Sequence, residues 1–414
     1  MKNIWDYDTK PLTELLEAIV DNRGKTVPTT ETGRILIATN CVTNNTLFPV
    51  YEKVRFISDE TYETWFRAHP IPGDIIFVNK GTPGKVCMVP DPIEFCIAQD
   101  MIALRANDKE IYNKYLFAVL RSERIQKQIY NTNVGDVIPH FKKQFLDQLL
   151  IPIPPREIQE FIGNLYYQLS YKIELNKQIN DNLEQQAQAL YKSWFIDFEP
   201  FKDSKFIDSE LGSIPEGWQV GKAEDFYEIN IGKTPPRKEH EWFTQDKSQN
   251  IWVSISDLGS DGTFVFDSSE YLTDKAIQKH NIVLVPENTV LLSFKLTIGR
   301  VGIAGTQLTT NEAIARFITN RINREYTYFL LKNFNYSKLG STSSIATAVN
   351  SKIIKAMTIL MPSNECLRDF NRATGTIMDK IKQNEEEVLH LTALRDSLLP
   401  KLMSGEFKIN EIDC

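Results

Sequence analysis

The stretch PPREIQEFIGNLYYQLSYKIELNKQINDNLEQQAQALYKSWFIDFEPF, residues 154–201, lies near the middle of the chain and determines its architecture. No proline interrupts it between Pro155 and Pro200, so we predict one continuous helix that ends at the second proline. Its seam residues recur at alternating steps of four and three, the heptad spacing of a helix that packs along a partner helix. The seam consists of Ile162, Tyr166, Leu169, Ile173, Asn176, Asn180, Leu183, Ala187, Leu190 and Trp194.

A second heptad seam lies near the C-terminus and repeats the first at an offset of 208 residues, so that Asn176 falls on Asn384. A polar seam residue specifies register at some cost in stability, so we predict that these two asparagines fix the register of a coiled coil formed by both helices. The alternative is two unrelated amphipathic helices, each packed on its own domain. The second seam consists of Phe370, Thr374, Ile377, Ile381, Asn384, Val388, Leu391, Arg395, Leu398 and Leu402.

The repetition continues outside the helices, which indicates an internal duplication and not a short-period repeat protein. We therefore predict an α+β protein with two homologous mixed α/β domains, each followed by a long helix, arranged as a pseudo-twofold duplication. The predicted boundaries are 1–155 and 201–365 for the domains and 156–200 and 366–414 for the helices. The matching segments are 24–28 with 232–236, 35–39 with 251–255, 74–79 with 288–293, 83–86 with 298–301, and 99–103 with 311–315.

Each domain begins with apolar residues at helical spacing, followed by short β-rich segments. Leu12, Leu15, Leu16 and Ile19 predict a first helix. Runs at 34–38, 54–57, 74–79, 85–89 and 101–104 predict strands because they are rich in β-branched residues and bounded by Pro, Gly and Asn. Helical spacing returns at 111–130.

Composition places the chain among ordinary globular proteins, with 42% apolar and 24% charged residues over 414 positions. The formal net charge is −7, and each predicted domain carries 18 basic and 19 acidic side chains. Two near-neutral domains can still present a basic face, so this balance excludes only a uniformly basic nucleic-acid binder. Five cysteines without a C-x-x-C pair predict free thiols in a reducing compartment. The absence of a signal core or a long apolar run predicts a cytoplasmic protein without a membrane span.

No sequence motif for catalysis, a cofactor or a metal ion is evident. Gly24-Lys25-Thr26 and Gly232-Lys233-Thr234 resemble the end of a P-loop, but each lacks the upstream glycine and is followed by a proline-containing loop. The histidines are scattered and form no H-E-x-x-H motif or triad. We predict no catalytic residue, no cofactor and no metal. The run Glu385-Glu386-Glu387 is interpreted as a solvated helix face.

Matching loops in the two halves carry cations among small polar residues. Lys and Arg side chains bind phosphates, and Arg, Asn, Gln and Ser side chains also contact base edges. Solvated turns with ordinary surface charge are the alternative, but recurrence in both halves favours a nucleic-acid contact. The candidate contacts are Lys80, Lys85, Lys142, Lys143, Lys233, Arg237, Lys238, Lys295 and Arg300.

The whole chain resembles the specificity subunits of type I restriction–modification systems. The most specific stretch, Leu394–Phe407, is similar to the family's closing L-R-D-x-L-L-P-K-L-x-S-G-E motif. The segment 189–198 resembles the end of the family's central helix, and 214–218 resembles the entry to its second target-recognition domain. Segments 232–235 and 297–302 look like recurrent loops of that domain, whereas 82–85 stands in for the T-I-G-R loop in the first.

The resemblance implies a non-catalytic subunit in which each domain recognises one half of a split sequence in double-stranded DNA. It also implies that the helices space the two halves and bind the methyltransferase subunits, to which restriction subunits are added. Two related domains joined by paired helices would suit two half-sites on a duplex. Two other hypotheses remain: a coiled-coil scaffold whose globular halves bind proteins, and an enzyme with an unrecognised site. The scaffold hypothesis predicts no salt-dependent DNA affinity. The enzyme hypothesis predicts metal-dependent turnover by the purified chain.

Overall fold

The computed structural model describes residues 2–22, 25–132, 139–259, 262–319, 321–339 and 349–406. Gly24, Phe407 and Cys414 therefore lie outside the described residues. The chain divides into two compact units, of which unit 1 comprises Met1–Asn176 and Val388–Cys414, and unit 2 comprises Lys177–Glu387. Each unit thus contains one globular domain together with part of both long helices.

Unit 1 contains two main sheets beside a group of helices. Its strands are β1 (Thr9–Pro11), β2 (Leu16–Asp21), β3 (Arg34–Ile37), β4 (Arg55–Ile57), β5 (Ile75–Val78), β6 (Val86–Met88), β7 (Phe95–Ile97), β8 (Met101–Ala106) and β9 (Leu150–Pro152). Its helices are α1 (Asp59–Thr64), α2 (Asn113–Arg121), α3 (Glu123–Thr132), the first part of α4 (Arg156–Phe195) and the last part of α9 (Asn364–Ser404).

The first sheet of unit 1 has the order β2-β8-β5-β6 and is antiparallel throughout. Its side chains alternate between two cores, as expected for a strand period of two. Ile75 and Phe77 face the helices, whereas Ile76 and Val78 face the second sheet. That second sheet has the order β4-β3-β7, with β3 and β7 parallel, and strands β1 and β9 form a separate antiparallel pair.

Unit 2 contains the later elements. Its strands are β10 (Phe206–Ser209), β11 (Gly212–Pro215), β12 (Gln219–Lys222), β13 (Glu228–Ile231), β14 (Phe243–Thr244), β15 (Asn250–Val253), β16 (Phe264–Val265), β17 (Tyr271–Leu272), β18 (Val290–Ser293), β19 (Val301–Ala304), β20 (Thr309–Thr310), β21 (Ile314–Ile318) and β22 (Thr358–Met361). Its helices are the last part of α4, α5 (Ala223–Phe226), α6 (Asp274–His280), α7 (Arg324–Lys332), α8 (Ser351–Lys355) and the first part of α9.

The sheets of unit 2 repeat those of unit 1. The order β13-β21-β18-β19-β16 corresponds to β2-β8-β5-β6 with one added strand, and the parallel pair β15–β20 corresponds to β3–β7. The antiparallel pair β12–β22 likewise corresponds to β1–β9. This agreement confirms the mixed α and β duplication predicted from the sequence.

The two long helices run antiparallel within each unit. In unit 2, Asn180 of α4 lies beside Asn384 of α9, and the later residue Tyr191 lies beside the earlier Phe370, with ring centroids 6.3 Å apart. In unit 1, Tyr166 packs beneath the guanidinium of Arg395, 5.9 Å from the ring centroid. The seam residues therefore lie between the helices, as the heptad spacing predicts.

The buried seam asparagines make specific contacts in unit 2. Asn384 donates to the side-chain oxygen of Asn180 at 2.8 Å, and Asn180 donates to the carbonyl of Ile381 at 3.2 Å. Asn176 is also buried, within unit 1. The role of Asn176 and Asn384 in fixing the register remains a prediction.

The predicted first helix is wrong. Leu12–Leu15 forms a short 3-10 helix, and Leu16–Asp21 is strand β2. The strand pairs with β8, so its backbone hydrogen bonds are made across the sheet, and this tertiary pairing overrides the local helical spacing. The predicted strands and the helical region at 111–130 are confirmed, with the helix divided at Ser122.

Candidate nucleic-acid interface

In both units, the loops that follow two strands leave the same end of the strand that lies between them, which is β8 in unit 1 and β21 in unit 2. In unit 2, strands β13 and β18 both run antiparallel to β21, pairing Ile231 with Ala315 and Ser293 with Ile314. The segments that follow β13 and β18 therefore emerge together at the N-terminal end of β21. In unit 1, β2 and β5 have the same relation to β8.

The hairpin between β5 and β6 is closed by its backbone. The Val78 amide donates to the carbonyl of Lys85 at 2.9 Å, and the Gly84 amide donates to the carbonyl of Val78 at 2.9 Å. Gly81 and Gly84 both have positive φ, at 85° and 90°. These bonds hold residues 79–84 as a projecting turn.

The hairpin between β18 and β19 has the same bonds. The Ser293 amide donates to the carbonyl of Arg300 at 2.9 Å, and the Gly299 amide donates to the carbonyl of Ser293 at 3.0 Å. Leu296 and Gly299 have positive φ, at 58° and 90°. The spacing and the signs of φ match those of the first hairpin at every one of these positions.

The shared hydrogen bonds align the two hairpins without reference to side chains. They place Lys80 on Lys295 and Lys85 on Arg300, so four of the candidate cations occupy two equivalent positions. The Thr82–Lys85 segment therefore does correspond to Thr297–Arg300. The strand before it is shifted by one residue from the sequence alignment, because Val78 and not Asn79 corresponds to Ser293.

This duplicated arrangement agrees with comparisons to known proteins. The family model described as "Type I restriction modification DNA specificity domain" matches residues 6–185 and again residues 215–389. The chain belongs to this family. The two matches each contain one of the hairpins, so the family model recognises the same duplication as the strand order.

Several type I restriction–modification specificity subunits are similar over most of their length. The MjaIX specificity subunit of Methanocaldococcus jannaschii is 27% identical over 351 residues, covering 82% of this chain and 79% of that protein. The HindI specificity subunit of Haemophilus influenzae is 24% identical over 402 residues, covering 81% of this chain and 86% of that protein. The crystal structure of an S subunit from M. genitalium aligns with 96% of both chains at 16% identity and a TM-score of 0.56, which supports the fold.

In the first DNA specificity domain, Lys80 lies beside the segment that precedes Lys142 and Lys143. Residues 139–141 run beside the hairpin, because the Gly81 amide donates to the carbonyl of Pro139 and the Phe141 amide donates to that of Asn79. Lys142 and Lys143 directly follow this segment, and both are exposed. Lys143 also forms an ion pair with Asp21 at 2.7 Å, at the end of β2.

In the second DNA specificity domain, two candidate cations on the loop after β13 have partners within the chain. The Lys233 ammonium donates to the carbonyls of His280 and Asn281, at the C-terminal end of α6, where a positive charge is favourable. Arg237 donates two hydrogen bonds to the carboxylate of Glu270, at 2.7 and 2.8 Å. This carboxylate raises the pKa of Arg237.

The Arg237 guanidinium also lies over two aromatic rings. It is 4.4 Å from the ring centroid of Phe243 and 4.6 Å from that of Trp252. A planar guanidinium held by a carboxylate and stacked on aromatic rings has a fixed orientation. The guanidinium of Arg237 is therefore held in one position on the loop that follows β13.

The other three candidate cations of the second domain differ in their exposure to solvent. Lys238 and Lys295 are exposed to solvent. Arg300 is half-buried and donates to the carbonyls of Ile255 and Leu258, at 3.0 and 3.5 Å. The geometry thus makes Lys295 the more accessible of the two cations on its hairpin.

Sequence reasoning did not identify Glu312, an exposed carboxylate at the meeting point of the loops. It accepts a hydrogen bond from the hydroxyl of Thr234, on the neighbouring loop. A carboxylate at a DNA surface repels phosphate but accepts from the amino group of a base. The sequence comparison set Glu312 against Asp100, but strand pairing aligns Ile314 with Met101 and therefore places Gln99 at the position of Glu312, so the acid does not recur in the first domain.

The described residues contain no group of histidine, cysteine, aspartate or glutamate side chains arranged to hold a metal ion. Among the same residues, no helix combines the length and apolar character needed to cross a lipid bilayer.

Proposed function

We propose that this chain is the specificity subunit of a type I restriction–modification complex and recognises a bipartite DNA sequence, one half with each globular domain. The observation that carries this proposal is the repeated hairpin, which lies at the N-terminal end of β8 in unit 1 and of β21 in unit 2. Equivalent cations on equivalent turns supply phosphate contacts in both domains, while the differing neighbours supply different base contacts. The proposed domains extend over 1–155 and 201–365.

The paired helices are proposed to separate the two half-sites and to bind the methyltransferase subunits, with a restriction subunit joining the same complex. The chain itself would contribute DNA recognition and not catalysis. A cytoplasmic location is part of this proposal and agrees with four buried, unpaired thiols. These belong to Cys41, Cys87, Cys96 and Cys366.

The direct test is selection of random DNA by the full chain assembled with its methyltransferase subunits. We expect two short defined sequences separated by a gap of fixed length without sequence preference. A single continuous sequence, or binding without any sequence preference, would contradict the proposal. The scaffold hypothesis predicts no salt-dependent DNA affinity in the same assay.

A domain replacement tests the assignment of one half-site to each domain. Residues 201–365 are exchanged for the corresponding domain of a relative that recognises another sequence. One selected half-sequence should change and the other should remain. A change in both halves would show that the domains do not act independently.

Single substitutions test the proposed phosphate contacts. Lys295→Ala should weaken binding to all sequences and lower the slope of log affinity against log salt by about 0.9. Lys275→Ala is the matched control, since Lys275 is an exposed cation on α6, outside the hairpin. An equal effect of both substitutions would indicate only the loss of general charge.

A further inference from the structure

Leu296 is the most exposed large hydrophobic residue among the described residues. Its relative accessibility is 99%, at the tip of the hairpin between β18 and β19. Ile298, two residues later in the same hairpin, is also exposed, at 36%. An apolar side chain in this position buries no surface within the chain, so it makes no contribution to the folded core.

The backbone of Leu296 adds a second observation. Its φ of 58° lies in the left-handed region, which is unfavourable for a leucine. The hydrogen-bonded alignment of the two hairpins places Gly81 at the same position, where φ is 85°. The first domain therefore builds the turn with the residue that suits it, whereas the second domain builds the same turn with a strained leucine.

Space does not explain this difference between the domains. A Cβ atom added at Gly81 would approach only the hydroxyl of Thr39, at 4.0 Å, so the turn has room for a side chain even though its backbone conformation is unfavourable for one. The difference therefore points to a contact of the hairpin outside the chain. Lys295 is exposed beside Leu296, which places a cation suited to phosphate next to an apolar group suited to a base.

We propose that Leu296 is a specificity-determining residue of the second domain and packs against a base of the half-site that this domain recognises. The inference rests on the proposed function and adds the residue and the chemistry of the contact. An apolar side chain in the major groove contacts the methyl group of thymine. An apolar side chain in the minor groove wedges between base pairs and unstacks them. Both are apolar contacts with a base, and DNA with modified bases distinguishes one from the other.

The test uses the full chain assembled with its methyltransferase subunits and the DNA site selected by the wild-type complex. Leu296→Gly reproduces the residue of the first hairpin, so it should fold with an equal or higher melting temperature. Its affinity for the site should fall about tenfold, the effect expected for loss of one buried leucine contact. Leu296→Ala should give a smaller loss. The salt dependence should not change, because no charge is removed.

The experiment has two arms, one for each kind of base contact, and both use modified DNA. Deoxyuridine replaces each thymine of the half-site in turn, which removes only the methyl group, and 2-aminopurine replaces each adenine to report unstacking by fluorescence. In the wild type, one position should respond in one of the arms, and in Leu296→Gly that response should be absent. Leu211→Gly is the matched control, since Leu211 is 49% exposed in the turn between β10 and β11.

Two results would overturn the inference in different ways. If Leu296→Gly selects the same site and binds it as tightly as the wild type, Leu296 makes no base contact, and the proposed function is unaffected. If the wild-type complex itself shows no sequence preference, the proposed function fails and the inference fails with it.

Discussion

Glu385 on α9 offers a test of how the long helix holds the second domain. Its carboxylate accepts hydrogen bonds from the backbone amides of Thr263 and Phe264, at 2.7 and 2.8 Å, beside strand β16. Gly262 allows this approach, because a Cβ atom there would lie 2.5 Å from a carboxylate oxygen of Glu385. The contact therefore joins the helix to the domain through two backbone donors.

Burial of this carboxylate opposes its ionisation more strongly than the two amides favour it. The pKa of Glu385 is raised from its ordinary value of 4.5 to about 7; desolvation is the main cause, the two amides oppose it, and the nearby Glu184 adds to it. Glu184 itself accepts hydrogen bonds from the Tyr328 hydroxyl and the Lys332 ammonium. Between these pH values, the folded state keeps a proton that the unfolded state releases. Folding stability should therefore fall as pH rises from about 4.5 to about 7.

The shift of about 2.5 units corresponds to about 3 kcal/mol at 1.36 kcal/mol per unit. Glu385→Gln cannot ionise, so its stability should lack this contribution to the pH dependence. Denaturant unfolding at pH values from 4.5 to 7.5 should show the wild type losing about 3 kcal/mol relative to the variant over this range. Glu386→Gln is the matched control, since it removes a half-exposed carboxylate from the next position of the same helix. A constant difference between wild type and Glu385→Gln would refute the reasoning, because it would show that the amides outweigh burial.

Two further predictions concern the long helices. Gly163→Ala should lower the free energy of unfolding by about 1–3 kcal/mol despite the better helix propensity of alanine, because the new Cβ would lie 2.5 Å from the Tyr115 amide nitrogen of α2; an unchanged denaturation midpoint would contradict this. Inserting four residues near Gln178, with a matching insertion near Glu386, adds about 6 Å of helix. At about 3.4 Å per base pair, the selected DNA should keep both half-sequences and gain about one to two base pairs in the gap, whereas an altered half-sequence with an unchanged gap would show that the helices do not set the spacing.

The long helices could be predicted from the sequence because their seam is a local pattern sustained over many residues. The predicted helix begins at Arg156 as expected and ends at Phe195, a few residues before Pro200. The segment containing Leu12 and Ile19 could not be predicted in this way. Its spacing fits a helix, but the strand it forms depends on pairing with β8, which is distant in the sequence.

The sequence identifies the loops that carry the candidate cations, whereas the contacts of these side chains depend on tertiary structure. The interpretation of Glu385-Glu386-Glu387 as a solvated face is wrong for Glu385, since composition gives no indication that a distant loop supplies two amide donors. The cations recur in both halves, but the sequence did not distinguish exposed Lys295 from Arg300, which is bound to backbone carbonyls. Leu296, which we propose to contact a base, was not among the predicted residues because its equivalence to Gly81 depends on the hydrogen bonds that align the hairpins.

The two hairpins indicate how one scaffold could serve two different half-sites. Their shape is fixed by backbone hydrogen bonds and by a glycine at the second positive-φ position, Gly84 or Gly299, so it does not depend on the side chains at the tip. Those side chains are then free to differ, as Gly81 and Leu296 do. A left-handed leucine costs about 1–2 kcal/mol, which a domain with a stability of about 5–15 kcal/mol can tolerate. A residue that lowers stability without filling the core is retained most simply if it contributes to binding, and at this position the proposed ligand is the DNA half-site.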